Sequence, residues 1–384
     1  MINKVESINK LMIIAGEESG DLVGAALIKE MKKMNSGLAI YGIGGDRMKA
    51  EGMDLIYHIN QMAFLGFTEV VQHIPFIKKV QRMLISFSMK KEIKTVVLID
   101  YPGFNLNVAS KFKKIGVKLV YYVSPQLWAW GLGRMKKIKW LIDKMIVVFP
   151  FEEDLYRKNQ INVEFVGHPL IERINEYNFL SKEELYNKFD LAVTKDILLL
   201  MPGSRKHEVV KIFPPMIEAA KNLAKEFNLQ IVTACSSYID ENIFYELSAS
   251  RDFKIIKRFT YDLMKYAKFG IIKSGTSTLE AGYFELPMVI VYKTSFLTYR
   301  IMKNLIRVNK IGMANILLDE NAVPELIQQD ASGEKILEAG RKILSDENYY
   351  SSIKEKLSNI KNKLGEAGAS ARAAKIILAV MNES

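Results

Sequence analysis

The chain has 384 residues, 49% hydrophobic and 25% charged, which is enough apolar material for two cores and too ordinary a charge content for wholesale disorder. Fifty-four Lys and Arg against 43 Asp and Glu leave a formal charge of +11, which points to an anionic partner: nucleic acid, anionic lipid or a phosphorylated substrate. The single cysteine, Cys235, excludes an internal disulfide and a cysteine zinc site, and fits a reducing cytoplasm.

In chain order, the N-terminal "MINKVESINK" is polar, and no apolar run reaches the length of a membrane span. The expectation is therefore a protein that is soluble or attached to a membrane surface. Short apolar runs then alternate with amphipathic stretches. The first half predicts strands at "LMIIAG", "AIYGIG", "TVVLID", "KLVYYV" and "MIVVF". The second predicts them at "DILLLM", "LQIVTA", "FKIIKR", "FGIIKS" and "MVIVYK". Helical periodicity falls at 19–34, 76–94, 104–115, 206–226 and 277–285. Such alternation predicts an α/β protein of two doubly wound parallel-sheet domains. The seam lies near 166–177, where His168-Pro169 ends the first alternation, giving domains at 1–168 and 169–340. Residues 341–384 read as closing helices, with one a candidate to cross back to the first domain.

Ligands of open α/β sheets sit at the carboxyl ends of strands, so the loops there carry the functional reading. "AGEESGDLVGAALI" places Glu17, Ser19 and Asp21 after the first strand, and "YGIGGDRM" follows the second. Neither is the dinucleotide fingerprint; both read as tight turns or as walls for a second substrate. "VVLIDYPGFN" ends a hydrophobic strand on Asp100, a candidate general base or a simple turn cap. "YVSPQLWAWGLGRMKK" holds two of the three tryptophans, either core or the lining of a cleft beside a sugar.

The stretch "MAFLGFTEVVQHIPFIKKVQRML" sets Phe64, Phe67, Val71 and Ile74 on one helical face, which Leu65, Phe76, Ile77 and Met83 widen. Lys78, Lys79 and Arg82 adjoin it. On its own this reads as a core helix with a solvated basic side, with a membrane-surface helix as the alternative.

"LLLMPGSRKHEV" brings Gly203, Ser204 and Arg205 to a strand end and a helix start, where small residues admit an anion and a guanidinium fits phosphate oxygens. "IIKSGTSTLEAG" repeats that design with Ser274, Gly275, Thr276 and Glu280. There the competing reading is a helix cap. Neither loop is a Walker A motif. The four histidines lack metal-ligand spacing and no Asp-x-Asp pair is present, so no metal and no cofactor is expected.

Taken together, "AGEESGDLVGAALI", "GIGGDRM", "MAFLGFTEVV", "IDYPGFN", "YVSPQLWAW", "PFE", "FVGHPL", "PGSRKHEV", "SGTSTLEA" and "NILLDENAVPELIQ", in order over residues 15 to about 328, resemble the lipid-A-disaccharide synthase family. The resemblance implies a GT-B fold, two Rossmann-like domains facing across a cleft. It also implies an inverting transfer from UDP-2,3-diacylglucosamine to 2,3-diacylglucosamine 1-phosphate, without a metal, at the inner face of the cytoplasmic membrane. By position, Gly203, Ser204 and Arg205 would hold the donor phosphates, with Arg205 assisting catalysis. Ser274, Gly275, Thr276 and Glu280 would hold diphosphate and ribose, and Asn315 of "MANILL" would contact the donor. Asp100 would be the base for the acceptor 6-hydroxyl, and Glu17, Ser19 and Asp21 would wall the acceptor. The resemblance turns the 62–84 stretch into a membrane contact through Phe64, Leu65, Phe67, Phe76 and Ile77. The sequence departs from the family at Gly131, where arginine usually follows "WAW" and where Arg134 now stands nearby, and at Ala314, usually proline.

Two rivals remain at this stage. One is a UDP-N-acetylglucosamine 2-epimerase or other UDP-sugar enzyme of the same architecture. The other is a basic nucleic-acid or membrane-binding protein without catalysis. Basic residues are not concentrated in one stripe, so no nucleic-acid partner is expected.

Overall fold

The computed structural model describes residues 9–62, 70–130, 132–237, 239–294 and 310–383. Contacts divide the chain into two compact units, Met1–Glu172 with Leu364–Ser384, and Arg173–Lys363. Of the C-terminal stretch 341–384, residues through Lys363 thus belong to the second unit and the remainder to the first.

The first unit is built on a seven-stranded sheet: β1 (Lys10–Ala15), β2 (Ala39–Gly44), β3 (Asp54–His58), β4 (Thr95–Ile99), β5 (Lys118–Tyr122), β6 (Lys144–Val147) and β7 (Val163–Phe165). They lie in the order β3-β2-β1-β4-β5-β6-β7, every neighbouring pair parallel. β1 and β4 are apolar along almost their whole length because helices cover both faces of a parallel sheet. The helix Ala369–Asn382 packs in this unit, against the helix Glu18–Met34. Its start is pinned by Glu172, which accepts from the Ser370 N–H at 2.8 Å and hydroxyl at 2.6 Å. The Arg372 guanidinium donates to the carbonyls of Val166, Ala367 and Glu366.

The second unit carries β8 (Asp196–Met201), β9 (Leu229–Cys235), β10 (Lys254–Lys257), β11 (Ala267–Lys273), β12 (Met288–Tyr292) and β13 (Glu325–Ile327), in the order β10-β9-β8-β11-β12-β13 and again parallel. In both sheets the order reverses beside the first strand, which marks the switch point where loops diverge and ligands are taken up. All ten expected strands are present. β3, β7 and β13 are additional, and each lies at a sheet edge.

Candidate functional site

In the first unit the loop after β4 is the most constrained piece of backbone. Asp100 and Tyr101 both take left-handed conformations, φ +45° and +48°, costing on the order of 1–3 kcal/mol each. Surrounding hydrogen bonds offset this. Asn105, fully buried one turn into the helix Pro102–Lys114, donates its side-chain amide to the carbonyls of Asp100 (2.7 Å) and Ile99 (3.1 Å). The Tyr121 hydroxyl donates to the Asp100 carbonyl at 2.6 Å, and the Asp100 N–H to the Tyr122 carbonyl at 3.2 Å. Gly16 must be glycine, because any Cβ there would lie 2.1 Å from the Tyr101 ring.

This fixed backbone holds the Asp100 carboxyl where burial, and then the charge of Glu17, raise it from an ordinary 3.8 to about 6. The same two causes, burial first, push the Tyr101 phenol up to about 12. Glu17 and Ser19 are exposed at the start of the Glu18–Met34 helix. A carboxylate whose proton affinity is raised toward neutrality suits a general base at neutral pH.

Asp21, expected to wall the acceptor, turns its side chain inward to backbone groups. Its carboxylate is 4% exposed and accepts three backbone N–H groups, from Gly45 (2.7 Å), Met48 (3.1 Å) and Arg47 (3.2 Å). It anchors the "GIGGDRM" turn and caps the short helix Asp46–Ala50.

Phe64, Leu65, Phe67 and Gly131 lie outside the described residues. Phe76 and Ile77, expected at a membrane, instead pack on the core of the first unit, Phe76 edge-on to Tyr57 at 6.1 Å. The helix Val70–Lys91 exposes Ile74, Met83 and Met89 among Lys78, Lys79, Arg82 and Lys90. Arg134 is exposed at the start of the helix Met135–Leu141.

Sequence reasoning missed Glu152, which lies in the first turn of the helix Pro150–Lys158 and is 2% exposed. Its Oε1 accepts from the Ser124 hydroxyl (2.8 Å) and the Trp128 indole N–H (3.2 Å), while its buried Oε2 has no hydrogen-bond partner. Burial raises this carboxyl from 4.5 to about 7, against the pull of Ser124 and Trp128. Trp128 continues into a run of rings through Phe151 and Phe149 to His168. A "PFEE" segment reads as ordinary acidic decoration of a helix start, so only its pairing with "SPQLW" could have drawn attention to it.

In the second unit the loops after β8 and β11 lead into helices Lys206–Glu226 and Thr276–Tyr283. Gly203 and Gly275 have φ of +109° and +150°, conformations that L side chains rarely adopt, so the turns require glycine there. Ser204 and Arg205 are exposed, as is Thr276. The first N–H groups of each helix lack intrahelical partners and favour an anion. Lys273, the last residue of β11, pairs with Glu208 at 3.0 Å, and Glu208 also lies 3.6 Å from Arg205. Neither residue was singled out from sequence, though a lysine closing the apolar run "FGIIK" is a visible signal.

Three expectations in this unit change. The Ser274 hydroxyl donates to the Ile311 carbonyl at 2.7 Å, so it secures residues 310–312 instead of offering its proton to a diphosphate. Asn315 is fully buried, its amide tied to Val323 on both sides and to Glu325, whose carboxylate accepts from the N–H groups of Ile311 and Gly312. It ties residues 311–312 to 323–325, and both polar atoms of its amide are already engaged within the chain. Glu280 is already engaged: Oε1 accepts from Arg173 and Tyr261, both at 3.3 Å, and burial raises its carboxyl against the lowering effect of Arg173. Among the described residues, no three His, Cys, Asp or Glu side chains are grouped to hold a metal ion.

Two parallel sheets of nucleotide-fold order, each followed by loops at its strand carboxyl ends, give the architecture of the GT-B fold. The family model for lipid-A-disaccharide synthetase matches residues 11–380, and the chain belongs to the lipid-A-disaccharide synthase family. A lipid-A-disaccharide synthase of Geobacter sulfurreducens is 40% identical over 378 residues, 98% of each chain. Among solved structures, the UDP-GlcNAc 2-epimerase of Neisseria meningitidis bound to UDP-GlcNAc superposes with a TM-score of 0.66 at 13% identity, covering 98% of this chain and 100% of that one. A calicheamicin glycosyltransferase gives 0.64 at 12% identity, covering 98% of each. These two share the fold.

Proposed function

We propose that the chain joins the glucosamine of UDP-2,3-diacylglucosamine to the 6-hydroxyl of 2,3-diacylglucosamine 1-phosphate with inversion, releasing UDP. Family membership makes it a glycosyltransferase of lipid A biosynthesis, with a UDP-sugar donor and a lipid acceptor. The observation that carries the chemical assignment is Asp100, presented on an over-determined backbone turn with its carboxyl raised to about 6. Its carboxylate takes the acceptor hydroxyl proton as oxygen bonds to the sugar C1. The C1–O bond to the diphosphate breaks, and the electron pair leaves on UDP. Arg205 and the helix N-termini stabilise that leaving charge. Gly203, Ser204, Gly275 and Thr276 provide the close approach. Glu17 and Ser19 border the acceptor side.

The test is UDP release from the diacylated donor with and without the acylated acceptor phosphate. Release dependent on the acceptor supports the transfer; turnover of UDP-N-acetylglucosamine alone would favour an epimerase and remove the assignment.

No described helix is long and apolar enough to cross a membrane. We place the enzyme peripherally at the inner face of the cytoplasmic membrane, through the exposed basic and apolar face of the Val70–Lys91 helix. Each basic residue near an anionic surface contributes about 1 kcal/mol. Reversing Lys78, Lys79 and Arg82 to Glu is therefore expected to lower binding to phosphatidylglycerol vesicles roughly a hundredfold or more. Because the three side chains are exposed, thermal stability should stay near wild type. Unchanged vesicle sedimentation would refute the assignment of this face.

A further inference from the structure

We propose that Lys273 is a second ligand of the donor's diphosphate, and that Glu208 occupies its ammonium group, in the anion's place, until the donor arrives. The inference rests on the donor-site reading above and concerns residues of the second unit only. Glu208 sits in the first turn of the Lys206–Glu226 helix, and Lys273 ends β11 one residue before Ser274. One carboxylate oxygen, Glu208 Oε1, serves both cations: it lies 3.0 Å from Lys273 Nζ and 3.6 Å from Arg205 Nη1. The side chains of Lys273 and Glu208 are 18% and 14% exposed, while that of Arg205 is 60% exposed.

The position of the lysine is what distinguishes it from an ordinary ion pair. A Cβ built on Gly275 would lie 4.0 Å from Lys273 Nζ, and one built on Gly203 would lie 3.5 Å from Lys273 Cδ and 2.8 Å from Glu208 Oε2. The pair therefore lies against both glycine turns, at the point where two helix N-termini begin. Tyr292, at the end of the neighbouring β12, lies in the field of Glu208 and Arg205 as well. Two cations beside two helix starts repel one another when no anion is present, and Glu208 supplies that anion from within the chain. A largely buried ion pair contributes little net stability over apolar packing, so stability alone is a weak reason to hold one at this strand end.

When the diphosphate enters, its oxygens replace the Glu208 carboxylate on Lys273 and Arg205, an exchange of anion for anion. Two consequences separate this from a structural pair. Lys273 strengthens binding of the diphosphate and not of the nucleoside. Glu208 opposes binding, which lowers UDP affinity and helps the product leave.

The experiment is calorimetric binding of UDP and of uridine to the full-length protein. Lys273→Met should weaken UDP binding about ten- to a hundredfold, the loss expected for a hydrogen bond to a charged group, and leave uridine binding unchanged. Glu208→Gln should tighten UDP binding severalfold. If Lys273→Met is compromised by the uncompensated glutamate, the Lys273→Met/Glu208→Gln double variant removes both charges and should fold while still binding UDP weakly. Wild-type UDP affinity in the lysine variants, or an equal loss for UDP and uridine, would overturn the role of Lys273. Weaker UDP binding by Glu208→Gln would overturn that of Glu208. Wild-type protein that binds UDP no better than uridine would instead refute the donor-site reading beneath both.

Discussion

Asp100→Asn is expected to lower turnover by about 10²- to 10⁴-fold, the contribution of a positioned general base, while UDP binding and the fold persist. The amide keeps the shape of the side chain, and the backbone turn is held through main-chain atoms by Asn105, Tyr121 and Tyr122. What is lost is the lone pair that takes the acceptor proton. In the wild type, activity should climb as pH rises through about 6, where the carboxyl ionises, and the variant should lack that limb. Wild-type turnover in Asp100→Asn would remove this residue from the mechanism.

The same residue carries a stability consequence of opposite sign. Its carboxyl is raised from 3.8 to about 6 in the folded state, so the fold binds the proton more tightly than the unfolded chain does. The stabilising proton is present below pH 3.8 and is lost as pH rises through 6. Above that, the ionised carboxylate, desolvated and facing Glu17, costs on the order of 2 kcal/mol after allowance for partial exposure. The uncharged amide avoids this cost. Asp100→Asn should therefore melt roughly 4–8 °C higher than wild type at pH 8, with the gap closing by pH 4. A catalytically dead variant more stable than its parent is the signature of a site that gives up stability for reactivity.

The sheet interiors could be read directly, because β1, β4 and β8 are mostly Ile, Leu, Val and Met and their neighbours on both sides are other strands. The strands that escaped reading, β3 ("DLIYH"), β7 ("VEF") and β13 ("ELI"), are short edge strands that pair on one side and keep polar residues. The loops were legible for a related reason: small residues after an apolar run mark a strand end whatever follows. Which way a polar side chain turns there was not legible. Arg205 and Thr276 face outward, whereas Asp21, Ser274 and Asn315, of equally suggestive type, turn inward to backbone groups brought from 24 to 27, 37 and 8 residues away. Phe76 and Ile77 show the same limit, since an apolar face broad enough for a membrane is also broad enough for a core.

Glu152 is expected to produce the largest effect among residues for which no substrate contact is proposed. Glu152→Ala leaves the Ser124 hydroxyl and the Trp128 indole N–H without their shared acceptor, at about 1–3 kcal/mol each, and opens a void beside these two side chains. A loss near 4 kcal/mol is expected at any pH. Glu152→Gln separates charge from shape. Its amide oxygen keeps both donors, and it is neutral at every pH, like the protonated acid. The wild-type carboxyl, raised from 4.5 to about 7, holds its proton in the fold at pH values where the unfolded chain has released it. Its stabilising contribution is whole below pH 4.5 and falls away as pH rises through about 7, by on the order of 3 kcal/mol. The titratable neighbour facing it is Tyr156, which is itself held protonated by burial and bonded to the Pro125 carbonyl, so that decline belongs to Glu152. The melting temperature of Glu152→Gln should start at or slightly below wild type at pH 5 and exceed it by pH 9, with the lines crossing near neutrality. A difference that stays flat across that range would mean Glu152 is ionised in the fold, and the "SPQLW" segment would then be held by a charge and not by a neutral acid.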